Sequence, residues 1–322
     1  MPLITKDDII ETYAKLRQRG LGFILKKLNL SGRDRTLGAF DETAVSSANW
    51  WIVPRVLERW NKLQTGDENV NYKQYLMKEH FANRDKLRMV SFGSGNCNHE
   101  LELAGYEQFS EVICVDIARN RLDEAALVAR DKGIRNVQFL CKDINEFDFQ
   151  KEEYDLVHFN QSLHHFENVE ELLSLKIKPS LKSDGILLIN EFVGPNRIQY
   201  PPEQIKAIRE ALKLIDKEYR TRFKTNMVKS GYSGSGWLRM IIADPSECVD
   251  SAGIIPALHK HFRVIEEKPY GGNILMGALK DISHHFLDLD QRKSEILDRL
   301  FAFEDEYIKD KQSDFVFGLY GK

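Results

Sequence analysis

Three short elements in the sequence end in residues that could do chemistry. The first is Gly93-Ser94-Gly95, within MVSFGSGNCN, where an apolar run closes on Gly-x-Gly. Glycines there let the backbone turn sharply into a helix and lie close against a ligand. The second is Asp116, which ends EVICVD 23 residues after Gly93. A carboxylate in that place accepts hydrogen bonds from both hydroxyls of a ribose. The third is Asp143, which ends NVQFLCKD. It is placed to bond an adenine amino group, beside Ile144, which can pack on the ring.

A glycine loop followed by a ribose acid suits two cofactors. A dinucleotide needs a third glycine, because its pyrophosphate sits tightly on the helix N-terminus. That glycine would be residue 98, and the chain has Asn98. S-adenosylmethionine carries no phosphate and gains from a third-strand acid, which Asp143 supplies. The pattern therefore favours S-adenosylmethionine. Downstream, His164 and His165 follow YDLVHFN, and Glu191 ends DGILLINE. Either histidine could take a proton from a hydroxyl acceptor, since imidazole titrates near neutral pH. Glu191 is the rival base. Methyl transfer from a sulfonium is an in-line displacement, so positioning alone can supply most of the rate.

The elements that must position these residues alternate. LRMVSF, EVICVD, NVQFLCKD, YDLVHFN and DGILLINEF read as strands, separated by helical segments such as ARNRLDEAALVARDKG, which closes on Gly133. Strands alternating with helices imply a doubly wound parallel sheet whose carboxyl ends form the ligand crevice. Residues 1–84 read as helical: Ile9, Ile10, Tyr13 and Leu16, then Phe23, Ile24 and Leu28, recur at helix spacing, interrupted at Gly20 and Gly22. A loop, SGRDRTLGAFDETAVS, precedes an aromatic helix, NWWIVPRVLERW. After Phe192, Pro201 and Pro202 open a long helix, EQIKAIREALKLIDKEYRTRF. DPSECVDSAGIIPALHKHF reads as a helix with Asp244 as N-cap and Pro245 at its first position. FRVIEEKPY and NILMGALK read as two strands of a hairpin joined at Gly271-Gly272. Residues 288–311 read as a last amphipathic helix.

Bulk properties narrow the function classes. With 322 residues, a net charge of −3 and 30% charged residues, the chain reads as an ordinary globular protein with no basic nucleic-acid footprint. The cysteines Cys97, Cys114, Cys141 and Cys248 form no C-x-x-C pair, which points to a reducing compartment. MPLITKDDII has no signal-peptide pattern, and no uncharged run reaches membrane-helix length. A cytoplasmic protein is expected, with no membrane partner and no indication of oligomeric state. His259, His261, His284 and His285 match no metal spacing, so no metal is expected.

Taken together, VSFGSGNCNHELEL, CVD, CKDINEF, YDLVHFNQSLHHF and LKSDGILLINEF resemble the class I S-adenosylmethionine-dependent methyltransferases over about residues 87–193. The resemblance implies an α/β fold, a doubly wound, Rossmann-like, seven-stranded mixed sheet with an antiparallel last strand. It implies that Gly93 and Gly95 lie against the amino-acid part of the cofactor and that Asp116, with Ile117, holds the ribose. Asp143 and Ile144 would bind adenine, and Asn160 would line the methionine side. Two positions depart from the family: Ser91 stands where Asp or Glu is common, and Cys97 where Gly is common. Glu100 is a candidate to take over the anchoring role.

The expected organisation is an N-terminal helical lid (1–84), a cofactor-binding core (85–193), a helical insertion (194–261) and a final hairpin with a C-terminal helix (262–322). The lid and insertion would close over a small-molecule acceptor, with Trp50, Trp51, Arg197, Tyr200, Tyr232 and Trp237 as acceptor-pocket candidates. For each tryptophan, plain helix core is the competing role. A looser resemblance of EFVGPNRIQYP, DPSECVDSAGIIPAL and FRVIEEKPYGGNILM to bacterial methyltransferases of glycans and small metabolites points the same way. Methyl transfer to a hydroxyl is the leading activity, N- or C-methylation the alternative. A non-catalytic cofactor-binding or scaffold protein is the reading of another class. Nucleic-acid or protein methylation is disfavoured, because Asn160-Gln161-Ser162-Leu163 lacks the Asn-Pro-Pro-aromatic block of many amine methylators.

Overall fold

The computed structural model describes residues 2–19 and 49–322. The expected helix around Phe23, Ile24 and Leu28, its Gly20/Gly22 interruption and the loop over 31–46 lie outside the described residues. In chain order the structure contains α1 (Lys6–Arg19), α2 (Pro54–Thr65), α3 (Tyr72–Glu79), β1 (Leu87–Phe92), α4 (Asn98–Ala104), β2 (Phe109–Asp116), α5 (Arg119–Asp131), β3 (Val137–Cys141), β4 (Tyr154–Asn160) and β5 (Leu181–Phe192). Next come α6 (Pro202–Leu212), α7 (Trp237–Ala243), α8 (Ile254–His261), β6 (Arg263–Gly271), α9 (Leu275–Leu279), α10 (Gln291–Ile308) and β7 (Phe315–Gly321).

The seven strands form one sheet in the order β3-β2-β1-β4-β5-β7-β6. β1 pairs in parallel with β2 and with β4, β2 with β3, and β4 with β5. Strand order therefore reverses between β1 and β4, which puts the crevice of a doubly wound sheet at their carboxyl ends. The central strands are almost continuously buried, as strands covered on both faces must be. On one face Phe92, Val157, Phe159, Leu173, Ile177 and Leu258 join a single hydrophobic cluster. The helix between β4 and β5 widens into a π turn over Leu172–Ile177. Gly133, with φ of +70°, follows the end of α5, as its sequence position foretold.

The C-terminal part corrects the sequence reading. Residues 263–279 are not a hairpin: β6 ends at Gly271, and LMGAL is the helix α9. Gly271 and Gly272 both sit near φ +88° to +89°, so they do turn the chain. The turn leads into a helix because the buried Glu304 carboxylate accepts the N–H groups of Ile274 and Leu275 at 2.9 and 3.0 Å. The strand between β5 and β6 is instead β7, at the end of the chain after α10. Two more elements differ. The long helix after Pro201 stops at Leu212, and only a single turn, Lys217–Arg220, resumes beyond it. Asp244 does not start a helix: it follows α7, and its carboxylate accepts Ser246 N–H at 2.9 Å in a local turn.

The chain divides into two compact units. One comprises Met1–Asn69, Gly194–Glu247 and Pro269–Phe315; the other comprises Val70–Val193, Cys248–Lys268 and Val316–Lys322. These units part the chain at 69/70, 193/194, 247/248, 268/269 and 315/316. Helix α3 and helix α8 belong with the sheet because each buries an apolar face in that unit, through Tyr72, Leu76 and Met77 in one and Ile254, Ala257 and Leu258 in the other. Among the described residues no helix is long and apolar enough to cross a membrane.

Candidate active site

The glycine loop is built as its composition requires. Gly93 and Gly95 have φ of +65° and +53°. A Cβ on Gly93 would stand 2.6 Å from the Ser162 Cβ, so no larger residue fits without displacing the β4 loop. Gly93 N–H donates to the Val115 carbonyl at 2.9 Å, which ties the loop to the end of β2. Cys97, buried at the start of α4, also has a left-handed φ of +53°. Its backbone explains why glycine suits that position, and holding a side chain there costs about 1–2 kcal/mol.

Asp116 sits against this loop. One carboxylate oxygen accepts Gly95 N–H at 2.7 Å and the other accepts Ala118 N–H at 2.8 Å. Each oxygen keeps a second acceptor site, so the same carboxylate can shape the loop and receive ribose hydroxyls. Ile117 beside it is half-buried. Asp143 caps the turn Ile144–Glu146 through one oxygen, on Asn145 N–H at 2.9 Å, and is half-buried. Ile144 itself is buried in the hydrophobic cluster of the sheet face.

At the end of β4, Asn160 accepts from the Tyr72 hydroxyl at 3.1 Å and from Asn190 Nδ2 at 2.8 Å. Beneath it runs a buried polar chain. Ser91 Oγ donates to Glu100 Oε1 at 2.7 Å, and His158 Nδ1 lies 3.1 Å from the same oxygen. The Tyr72 hydroxyl reaches His158 Nε2 at 3.4 Å and His99 Nδ1 at 3.1 Å. Burial alone would raise the Glu100 carboxyl, but the bonds from His158 and Ser91 outweigh it and hold the group below the usual range. Burial, then the Lys73 ammonium, pushes His99 down to about 4, so it is neutral at pH 7. Tyr72 is delivered by the capping box of Asn71 and Gln74 at the start of α3. The sequence reading named Ser91, Glu100 and Asn160 here and missed Tyr72, His99, His158 and Asn190. One signal was available: His158 is a polar residue between the apolar Val157 and Phe159 in a buried strand.

A second cluster joins the ends of β4 and β5. Glu191 is fully buried. Its Oε1 accepts Ser162 N–H at 2.5 Å and Leu163 N–H at 2.7 Å, and its Oε2 lies 2.7 Å from His164 Nδ1. Glu191, read from sequence as a rival base, thus stands behind His164 with both oxygens engaged. The β4 loop is held in place by that carboxylate, and with it the imidazole. His165, half-buried, packs its ring 4.3 Å from that of His164.

The acceptor candidates all lie in the other unit. Trp50 is 1% exposed, edge-on to Trp60 at 4.7 Å and 5.4 Å from Phe315, which is the core role weighed for it. Trp51 and Trp237 are exposed. Arg197 spends its guanidinium on the carbonyls of Pro245 and Glu247, at 2.5 and 3.2 Å. The buried Tyr200 hydroxyl meets Met276 Sδ at 3.4 Å. Tyr232 is buried, and its phenol is raised by burial and by the nearby Asp7 and Glu11 charges.

A family described as "Methyltransferase domain" matches residues 83–244. Among known sequences, the chain is 27% identical over 112 residues to the uncharacterized methyltransferase YcgJ of Bacillus subtilis, covering 35% of this chain and 43% of that one. It is 27% identical over 124 residues to carboxy-S-adenosyl-L-methionine synthase of Nautilia profundicola, covering 38% of this chain and 51% of that one. The match spans about half the length of these relatives. Among solved structures, phosphoethanolamine N-methyltransferase 2 of Haemonchus contortus, in complex with S-adenosyl-L-methionine, superposes with a TM-score of 0.51 at 17% identity. That alignment covers 91% of this chain and 60% of the other, and it shows a shared fold. The residues here fit the family's cofactor: a loop turned by two left-handed glycines, Asp116 with acceptor capacity to spare, and a buried carboxylate oxygen, Glu100 Oε2, with no hydrogen-bond donor. By its matched domain, its seven-stranded sheet and this loop, the chain belongs to the class I S-adenosylmethionine-dependent methyltransferases.

Proposed function

We propose that this protein transfers the methyl group of S-adenosylmethionine to a small-molecule acceptor, at a hydroxyl oxygen. The observation that carries the reading is the His164–Glu191 pair at the carboxyl ends of β4 and β5, in the unit that also holds the glycine loop. Bound there, S-adenosylmethionine supplies an electrophilic methyl on a positive sulfonium. Gly93 and Gly95 bring backbone close to its amino-acid part. Asp116 accepts the ribose hydroxyls, and Asp143 the adenine amino group, through the oxygen that does not cap the turn. Asn160, oriented by Tyr72 and Asn190, lines the methionine side.

His164 is the general base. Its Nδ1 faces Glu191, which orients the imidazole as it takes the acceptor's hydroxyl proton. Glu191 then stabilises the imidazolium and keeps its orientation, as a buried carboxylate does behind a catalytic histidine. Glu191 does not itself collect the proton, because its oxygens already hold two backbone N–H groups and the imidazole.

Incubating the protein with methyl-labelled S-adenosylmethionine and metabolite extracts of the source organism, then reading products by mass spectrometry, tests this directly. A labelled methyl ether or ester supports it, and a labelled amine moves the acceptor to nitrogen. Failure to bind S-adenosylhomocysteine in a calorimetric titration, with no labelled product, would leave a non-catalytic scaffold. Asp116→Asn should weaken S-adenosylhomocysteine binding about tenfold or more, since one ribose acceptor and the charge are lost. Unchanged affinity would refute the ribose assignment.

A further inference from the structure

Many members of this fold carry an acid at the position of Ser91, and this chain does not. Ser91 is buried, and its hydroxyl ends on a carboxylate. Glu100, from the first turn of α4, lays its Oε1 2.7 Å from Ser91 Oγ. The carboxylate therefore occupies the space into which a longer acidic side chain at residue 91 would extend. The acid has moved from the strand to the helix, and the serine bonds it in place.

Three features distinguish Glu100 from a structural buried acid. It is 2% exposed, so its charge is sheltered from solvent. Its Oε1 is bonded by both Ser91 and His158, while its Oε2 is buried with no hydrogen-bond donor. The groups bonded to it hold its carboxyl below the usual range: the imidazole of His158 is on one side and the Ser91 hydroxyl on another. An anionic oxygen left without a donor in a buried site costs several kcal/mol unless something donates to it. The neighbouring loop, Gly93–Gly95, is where the amino-acid end of the cofactor lies in the proposed function. That end carries an ammonium with three N–H donors.

We propose that Glu100 is the carboxylate that binds the α-ammonium of the cofactor, with Ser91 and His158 as the residues that position it. The proposal rests on the S-adenosylmethionine assignment and fills the one part of that site which Ser91 and Cys97 leave undefined. His158 pairs with Ser91 in the β1–β4 register, so the two positioning groups stand side by side on neighbouring strands. Tyr72 extends the same chain from His158 to Asn160, linking the anchoring carboxylate to the amide on the methionine side.

The test separates the amino-acid end from the nucleoside end. Calorimetric titration compares S-adenosylhomocysteine with 5′-methylthioadenosine, which lacks the amino acid. Glu100→Gln should weaken S-adenosylhomocysteine binding about 10- to 100-fold, the worth of one charge-assisted bond, and leave methylthioadenosine unchanged. Unchanged methylthioadenosine binding also reports that the variant is folded. Adding Ser91→Asp to Glu100→Gln should restore most of the lost affinity, which a merely structural Glu100 would not allow. Should the variants fail to fold, the unmodified protein still decides: an analogue of S-adenosylhomocysteine lacking only the α-amino group should bind at least tenfold more weakly. Equal binding of that analogue, or an equal loss for both ligands in Glu100→Gln, overturns the proposal. An unmodified protein that binds neither ligand overturns the cofactor assignment itself, and this proposal with it.

Discussion

Two buried glutamates in the sheet unit are spent in opposite ways. Glu191, at the β4–β5 edge, uses both oxygens on two backbone N–H groups and an imidazole. Glu100, under the glycine loop, uses one oxygen on Ser91 and His158 and leaves the other without a donor. A saturated carboxylate is a scaffold for something else, here the β4 loop and His164. One with an unused anionic oxygen keeps capacity for a donor, the role proposed above for Glu100. Glu304 in the other unit sharpens the contrast. It too is fully buried with no hydrogen bond to Oε2, the Arg59 guanidinium standing 3.5 Å away. Burial raises its carboxyl above the ordinary value, whereas Glu100 is held below it. An unbonded oxygen points to a donor most strongly where the carboxyl is held low.

The largest effect that would break this contrast is on stability. Glu191→Ala should destabilise the protein by about 3–5 kcal/mol, because it strands buried N–H donors of Ser162 and Leu163. Denaturant unfolding measures it, and a loss below about 1 kcal/mol would mean the carboxylate is not holding the loop. Next, Glu191→Gln should leave S-adenosylhomocysteine affinity within about twofold, whereas Glu100→Gln lowers it about 10- to 100-fold. Equal losses in the two variants would erase the distinction between scaffold and anchor.

A smaller effect concerns pH. His99 is held at about 4 in the fold, below its ordinary value of 6.5. Between those values the unfolded chain binds the proton and the folded chain does not, so stability should fall as pH drops from about 6.5 to about 4. His99→Gln should flatten the slope of unfolding free energy against pH in that window; an unchanged slope would place the neutral imidazole elsewhere. Smallest of all, Glu304→Gln should change stability by less than about 1 kcal/mol, since the amide keeps an oxygen that accepts Ile274 and Leu275 and removes a carboxylate whose charged form burial disfavours. The raised carboxyl predicts that stability contributed by Glu304 is full at acid pH and lost as pH rises through its folded value. A large loss in the variant at pH 7 would show that Glu304 works as an anion after all.

Legibility differed sharply along the chain. β1 to β5 were readable because each is a short apolar run, and a parallel sheet covered on both faces demands such runs. The hairpin at Gly271-Gly272 was misread for a physical reason. Two left-handed glycines signal a turn, but whether a strand or a helix comes next depends on the distant Glu304, whose carboxylate receives the N–H groups of Ile274 and Leu275. β7, with its aromatic FVFGLYG, went unread because it lies after a long helix, and nothing local says it slots between β5 and β6. The compact units were equally illegible: α3 and α8 bury their apolar faces in the sheet unit against side chains distant in sequence.

By itself the sequence determined the glycine loop after β1, the acid after β2, the acid after β3 and the choice of S-adenosylmethionine over a dinucleotide. These come from residue types at strand ends, where the backbone places a side chain regardless of what packs behind it. Only the tertiary structure decided what the buried polar groups do. Which oxygen of Glu100 is spent, that His158 stands beside Ser91, and that Glu191 lies behind His164 all depend on side chains meeting across 9 to 67 residues of chain. Burial makes each of those contacts strong and leaves local sequence silent about them.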